Sequence, residues 1–177
     1  DVKFPAFVED GAKAVAWVTN NIEEYGGDAE RLFISGHSAG AHIGALLTAD
    51  EKYLNTVNVD PSLIKGFAGL AGPYDFVPEA EDLKKIFGPP ENYPQMQVPT
   101  FIDGTEAPMY LLHGADDETV IQRNLNRLRD KIEEKGGTVK TKIYDDIDHI
   151  WIVGAMSWLG IGKPDVAKDI TDFFDDL

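Results

Sequence analysis

The stretch Arg31-Leu32-Phe33-Ile34-Ser35-Gly36-His37-Ser38-Ala39-Gly40-Ala41-His42-Ile43-Gly44-Ala45-Leu46-Leu47-Thr48 decides how the rest of the chain is read. Arg31 to Ser35 is a short apolar run between Asp28 and Gly36, the pattern of a strand buried on both faces. Ala39 to Thr48 returns to helix-forming residues. Between them stands Gly36-His37-Ser38-Ala39-Gly40, a G-x-S-x-G in the strand-to-helix setting of a nucleophile elbow. A sharp turn of this kind strains the Ser38 backbone and leaves no room for side chains at the flanking glycines. Ser38 then projects its hydroxyl above the sheet. The following helix aims its amino end at the same place, so the Ala39 amide and the positive end of the dipole face a developing oxyanion.

Outward from this stretch, strands and helices alternate. Val8, Ala12, Val15, Val18 and Ile22 recur at helical spacing, which predicts a helix from Val8 to Tyr25 stopped by Gly26-Gly27. Further strands are predicted at Gly66 to Leu70, Pro108 to Leu112 and Thr138 to Tyr144, the last at a sheet edge. Helices are predicted over Thr119 to Lys135, on Ile121, Leu125, Leu128 and Ile132, and over Asp165 to Asp176. This order implies parallel pairing through right-handed crossovers, an α/β sheet covered on both sides. The segment at about 72–105 carries Pro73, Pro78, Pro89, Pro90, Pro94 and Pro99 and reads as an irregular surface excursion beside a site.

Composition narrows the function. The 177 residues suit one domain, 1–177, with a substantial core, and 43% apolar residues exclude global disorder. A net charge of −15 repels phosphate backbones and anionic membrane surfaces, so nucleic-acid binding is not expected. No apolar run is long enough for a membrane-spanning helix. The absence of cysteine excludes disulfides, thiolate metal sites and a Cys nucleophile. The dispersed histidines lack metal-ligand spacing, so neither a metal nor another cofactor is expected. The chain begins at Asp1 with no signal-peptide pattern, so a processed or partial chain is expected, with a cytoplasmic location favoured.

A serine hydroxyl needs a base, and His37, His42, His113 and His149 are available. His37 lies in the turn that splays neighbouring side chains apart, His42 lies one turn into the helix, and His113 ends a strand. Packing or local backbone contacts suffice for these three. His149 follows the fourth strand in the loop Asp145-Asp146-Ile147-Asp148-His149, at the carboxyl edge where active-site loops of open α/β sheets collect. The acid that orients it is expected in Gly114-Ala115-Asp116-Asp117-Glu118, where Asp116 and Asp117 compete. Either choice gives the chain order Ser, Asp, His.

On these residues the chain resembles the carboxylesterase and lipase branch of the α/β-hydrolases, near its acetyl-esterase and arylformamidase-like members. The resemblance rests on Phe4-Pro5-Ala6 with Asp10, Tyr25-Gly26-Gly27-Asp28 and Arg31-Leu32, and Gly36 to His42. It continues through Gly69-Leu70-Ala71-Gly72-Pro73-Tyr74-Asp75 and the stretch from Pro108 to Val120, which resembles the family's H-G-x-x-D-x-x-V segment. It implies the C-terminal portion of an α/β-hydrolase fold, about four parallel strands flanked by helices, and it selects Asp117 over Asp116. It also implies preceding strands and a His-Gly-Gly-Gly-like loop with further oxyanion amides, so an N-terminal fragment or a homo-oligomer partner is expected. Without those strands, Leu32, Phe33 and Ile34 are expected on an uncovered apolar edge. The implied activity is hydrolysis of short-chain carboxylic esters through an acyl-enzyme on Ser38. Tyr74, Phe76 and the Trp151 region are the expected pocket walls. The alternatives are arylformamide hydrolysis and a catalytically incomplete hydrolase fragment.

Overall fold

The computed structural model describes residues 2–157 and 164–177. Its frame is a four-stranded sheet in the order β1-β2-β3-β4, parallel throughout, with β1 Leu32–His37, β2 Ile64–Leu70, β3 Met109–Gly114 and β4 Val139–Tyr144. Side-chain alternation assigns the two faces. Phe67, Met109 and Leu111 join one apolar cluster, and Ala68, Leu70, Tyr110 and Leu112 join the other. The first cluster is closed by α1 (Ala6–Asn21), α2 (Ala39–Ala49) and α3 (Lys52–Thr56), which precede α4 (Glu81–Phe87), and by α5 (Arg123–Lys135). The second is closed by α6 (Trp151–Gly154) and α7 (Val166–Asp175). Both faces of the central strands are therefore dry, which explains why β2 and β3 read as continuous apolar runs.

Helix ends follow local chemistry. α1 gives way to a 3₁₀ turn at Ile22–Tyr25, and Gly26 closes it in the left-handed region at φ 82°. α5 begins at Arg123 rather than at Thr119 as its periodicity suggests. The amides of Thr119 and Val120 donate instead to the Asp117 carboxylate, at 2.9 and 2.8 Å, and hold that stretch as a turn. Leu125, Leu128 and Ile132 of α5 are fully buried, worth roughly 2 kcal/mol each.

Two expectations change. The proline-rich segment is not simply irregular: it carries α4 and 3₁₀ turns at Pro90–Gln95 and Val98–Thr100. Its Phe87, Tyr93 and Met96 form a small core of their own with Phe4, Phe7, Phe76 and Ile86. Prolines at the first helical positions end and start these short turns without preventing packing. β1 does form a sheet edge, but Leu32, Phe33 and Ile34 are half-buried rather than uncovered. Phe33 stacks on Phe174 at 4.5 Å with the Arg31 guanidinium over its ring, and Ile34 packs toward Gly44 of α2.

Candidate active site

Parallel register brings the carboxyl ends of all four strands to one edge, with His37 beside Leu70 and Gly114 beside Tyr144. Ser38 leaves β1 there at φ 54°, ψ −119°, a conformation that costs a non-glycine residue on the order of 1–3 kcal/mol. Its surroundings over-determine it. The Ser38 amide donates to the Leu70 carbonyl at 2.8 Å, and the Ser38 carbonyl accepts from the His42 amide at 3.1 Å. A Cβ on Gly36 would stand 2.4 Å from the Gly40 carbonyl oxygen, so glycine is required at that flank. Gly40 differs from expectation: a Cβ there meets nothing within 4 Å, because the helix turns its outer face to solvent at this point. Ala39 opens α2, so its amide has no acceptor within the helix and stays exposed beside Ser38.

His149 reaches the same edge on the loop after β4. The loop is anchored by fully buried Ile147, whose carbonyl accepts from the Asp116 amide at 3.0 Å and lies so near Gly114 that a Cβ there would come within 2.1 Å. Asp148 caps the start of α6 by accepting from the amides of Ile150 and Trp151. These contacts aim His149 inward. Its Nδ1 lies 2.8 Å from Asp117 Oδ2, and its Nε2 lies 2.9 Å from Ser38 Oγ. A carboxylate only accepts, so Nδ1 carries the proton and Nε2 is left to accept from the serine hydroxyl. The Asp117 side chain has no exposed surface, and its Oδ1 accepts the Thr119 and Val120 amides. Asp116 is exposed. The two aspartates are thus separated by burial and not by residue type.

The other histidines are placed more specifically than their neighbours in sequence suggest. His113 is buried beneath Asp117, with Nε2 3.9 Å from Oδ2, and burial holds its pKa below the ordinary value. His37 does not point away from the site. It contacts His149 through both ring and backbone. Nothing in composition or spacing flags that contact, which joins residues 112 positions apart in sequence.

The pattern of the BD-FAE family matches residues 1–132, about three-quarters of the chain. The chain belongs to the BD-FAE family. This BD-FAE chain is 26% identical over 166 residues to a probable isoprenylcysteine α-carbonyl methylesterase of Arabidopsis thaliana, covering 80% of the chain and 35% of that protein. It is 29% identical over 141 residues to the esterase LipQ of Mycobacterium tuberculosis, covering 66% of the chain and 32% of that protein. The chain therefore spans about a third of the length of the curated relatives it matches. Among solved structures, a truncated carbohydrate esterase from gut microbiota superposes with a TM-score of 0.82 at 20% identity, over 98% of this chain and 69% of that one. Esterase 2 of Thermogutta terrifontis superposes with a TM-score of 0.75 at 20% identity, over 99% of this chain and 65% of that one. The fold of the BD-FAE chain is the α/β-hydrolase fold that it shares with these structures.

Beside Ser38 and Ala39 the BD-FAE chain holds a cavity of about 790 Å³, within the range of small-molecule sites. Phe7, Ile43, Phe76, Ile86, Phe87 and Val120 make it predominantly apolar, with Arg123, Asn124 and Glu79 at its polar parts. Phe76 is a wall, as expected. Tyr74 is not: it is 1% exposed and packs edge-on against Phe67 in the core beneath the sheet edge. Trp151 also lies outside this lining, on the first residue of α6.

His42 is the polar pin of the cavity floor. Its Nε2 lies 2.6 Å from the Met96 carbonyl, and its ring meets Phe76 and Phe87 edge-on. Burial pushes its pKa down to about 4, from an ordinary 6.5. Below pH 6.5 the unfolded chain binds a proton that folded His42 refuses. Stability is therefore expected to fall as pH drops through 6.5, with the loss levelling off near 4. The full loss from this one group is about 3 kcal/mol. Urea unfolding at pH 7.5 and 4.5 checks it: His42→Gln should flatten the difference by most of that amount, and an unchanged difference refutes the assignment.

Proposed function

We propose that this chain hydrolyses short-chain carboxylic esters through an acyl-enzyme on Ser38. The observation that carries the reading is the unbroken line from Ser38 Oγ through His149 to the buried Asp117 carboxylate, opening onto an apolar cavity. Ser38 Oγ attacks the ester carbonyl carbon while His149 Nε2 takes the hydroxyl proton. The oxygen that gains charge faces the exposed Ala39 amide and the amino end of α2. Asp117 holds the imidazole in the required tautomer and balances the imidazolium that forms. His149 then returns the proton to the leaving alkoxide, and the alcohol departs. Water repeats the sequence on acyl-Ser38, releasing the acid and the free enzyme. The ester bond named in the methylesterase and esterase relatives supports this chemistry.

Labelling with a fluorophosphonate, read by intact mass and peptide mapping, tests the reading: a single adduct on Ser38 is expected. No adduct would identify a chain that has the parts of a hydrolase without a working site. A series of p-nitrophenyl esters tests the substrate class, with the highest kcat/KM expected for acyl groups of about four carbons or fewer, because the alcohol must share the same cavity. A preference for ten or more carbons would overturn the short-chain assignment. The aromatic edges of Phe76 and Phe87 favour one further reading, cleavage of an aryl formamide by the same residues. Relative rates on an aryl formamide and an aryl acetate separate the two.

A further inference from the structure

His37 is the last residue of β1 and the immediate neighbour of the nucleophile. Its Nε2 lies 2.8 Å from the backbone carbonyl oxygen of His149, and the two imidazole rings stand 4.7 Å apart, tilted by 46°. A carbonyl only accepts, so Nε2–H of His37 is the donor. Its hydrogen bond and its ring thus bear on the residue whose own ring bridges Ser38 and Asp117.

We infer that His37 is a positioning residue for His149, tying the loop after β4 to the nucleophile elbow so that the base and Ser38 move as one body. The inference rests on the reading of His149 as the general base. Two further anchors of this loop, the Ile147 carbonyl and the Asp148 side chain, fix it to the end of β3 and to α6. They set its distance from Asp117 but not from β1. His37 adds a direct link to β1, because it is on β1 itself and donates across to the loop. A strand-end residue has few degrees of freedom, so the distance from Nε2 of His149 to Ser38 Oγ inherits the rigidity of the sheet. The position before the serine in the G-x-S-x-G of this chain is therefore a working donor, not a free residue.

Three variants separate the contributions. His37→Ala removes donor and ring, His37→Phe keeps a ring without the donor, and His37→Gln restores a side-chain N–H of comparable reach. Two readouts are taken on the full chain. The first is the rate of fluorophosphonate addition to Ser38, expected to fall by roughly 10²-fold in His37→Ala, as for a misplacement of about 1 Å, and less in His37→Phe. Partial recovery is expected in His37→Gln. The second is the downfield proton resonance of His149 Nδ1–H, which needs no turnover. It is expected in the wild-type chain and in Ser38→Ala, and broadened or lost in His37→Ala with an otherwise preserved amide spectrum. An unchanged resonance and an unchanged labelling rate in His37→Ala and His37→Phe overturn the inference, as does absence of the resonance from the wild-type chain. Failure of the wild-type chain to label, with the resonance still dependent on His37, overturns the proposed chemistry and leaves the positioning role standing. If His37→Ala does not fold, His37→Gln against His37→Phe carries the same comparison.

Discussion

Ser38→Ala is expected to abolish fluorophosphonate labelling and to lower kcat for an aryl acetate by about 10⁶-fold, to a rate set by binding and the remaining oxyanion donor. The variant deletes one oxygen and nothing else that supports the fold. Ser38 uses its backbone amide and carbonyl, not its hydroxyl, to hold the elbow against Leu70 and His42. Alanine must still adopt φ 54°, so the strain remains and stability should change by less than about 1 kcal/mol. A large loss of activity with little change in the unfolding midpoint is the signature sought. Retention of turnover within tenfold would mean that hydrolysis does not pass through Ser38.

Asp117→Asn is expected to lower kcat by about 10⁴-fold while leaving KM within a few-fold. The amide is isosteric and can keep an oxygen on the Thr119 and Val120 amides, so the turn before α5 survives. What changes is the other atom, the one 2.8 Å from His149 Nδ1. An NH₂ group there is a donor, which forces the proton of neutral His149 onto Nε2, where it meets the serine hydroxyl instead of accepting from it. The negative charge that balances the imidazolium is also gone from a fully buried position. Asp116→Asn is the matched control. Asp116 is exposed, and the bond it makes to the loop comes from its backbone amide, which the substitution keeps, so kcat should hold within about twofold. If Asp116→Asn proves the damaging change and Asp117→Asn the mild one, the acid has been assigned to the wrong residue.

The effects sought at His37 and His42 differ in kind from these. Loss of either deletes no group that exchanges a proton with substrate. His42 acts on the cavity floor by joining α2 to the Met96 carbonyl, and its signature is a pH-dependent stability. His37 acts on the loop that carries His149, and its signature is the state of the His149 ring.

The local chemistry of the chain determined the strands, the helices and the elbow that carries Ser38. Arg31 to Ser35 reads as a strand because its apolar run is too short and too unbroken for an amphipathic helix, although as the edge strand β1 it is half-buried and not buried on both faces, and α5 announces itself by Leu125, Leu128 and Ile132 at helical spacing. Ser38 was legible because the elbow is built from contiguous residues whose steric demands, above all at Gly36, are written side by side. The place of His149 was legible for a topological reason: a loop that follows a parallel strand must emerge at the same edge as the others. The resemblance of His113 to Val120 to a family stretch favoured Asp117, but the physical choice between Asp116 and Asp117 belonged to the tertiary structure. Adjacent residues of one type differ only in which is turned inward, and two backbone amides and a buried imidazole turn Asp117. Tyr74 went to the core and not to the cavity for a similar reason, since the space next to Gly69 and Gly72 is one only the fold creates. The contacts of His37 and His42 join residues 112 and 54 positions away. Periodicity and motif spacing report on neighbours along the chain, whereas these pairings depend on where the sheet brings distant backbone carbonyls.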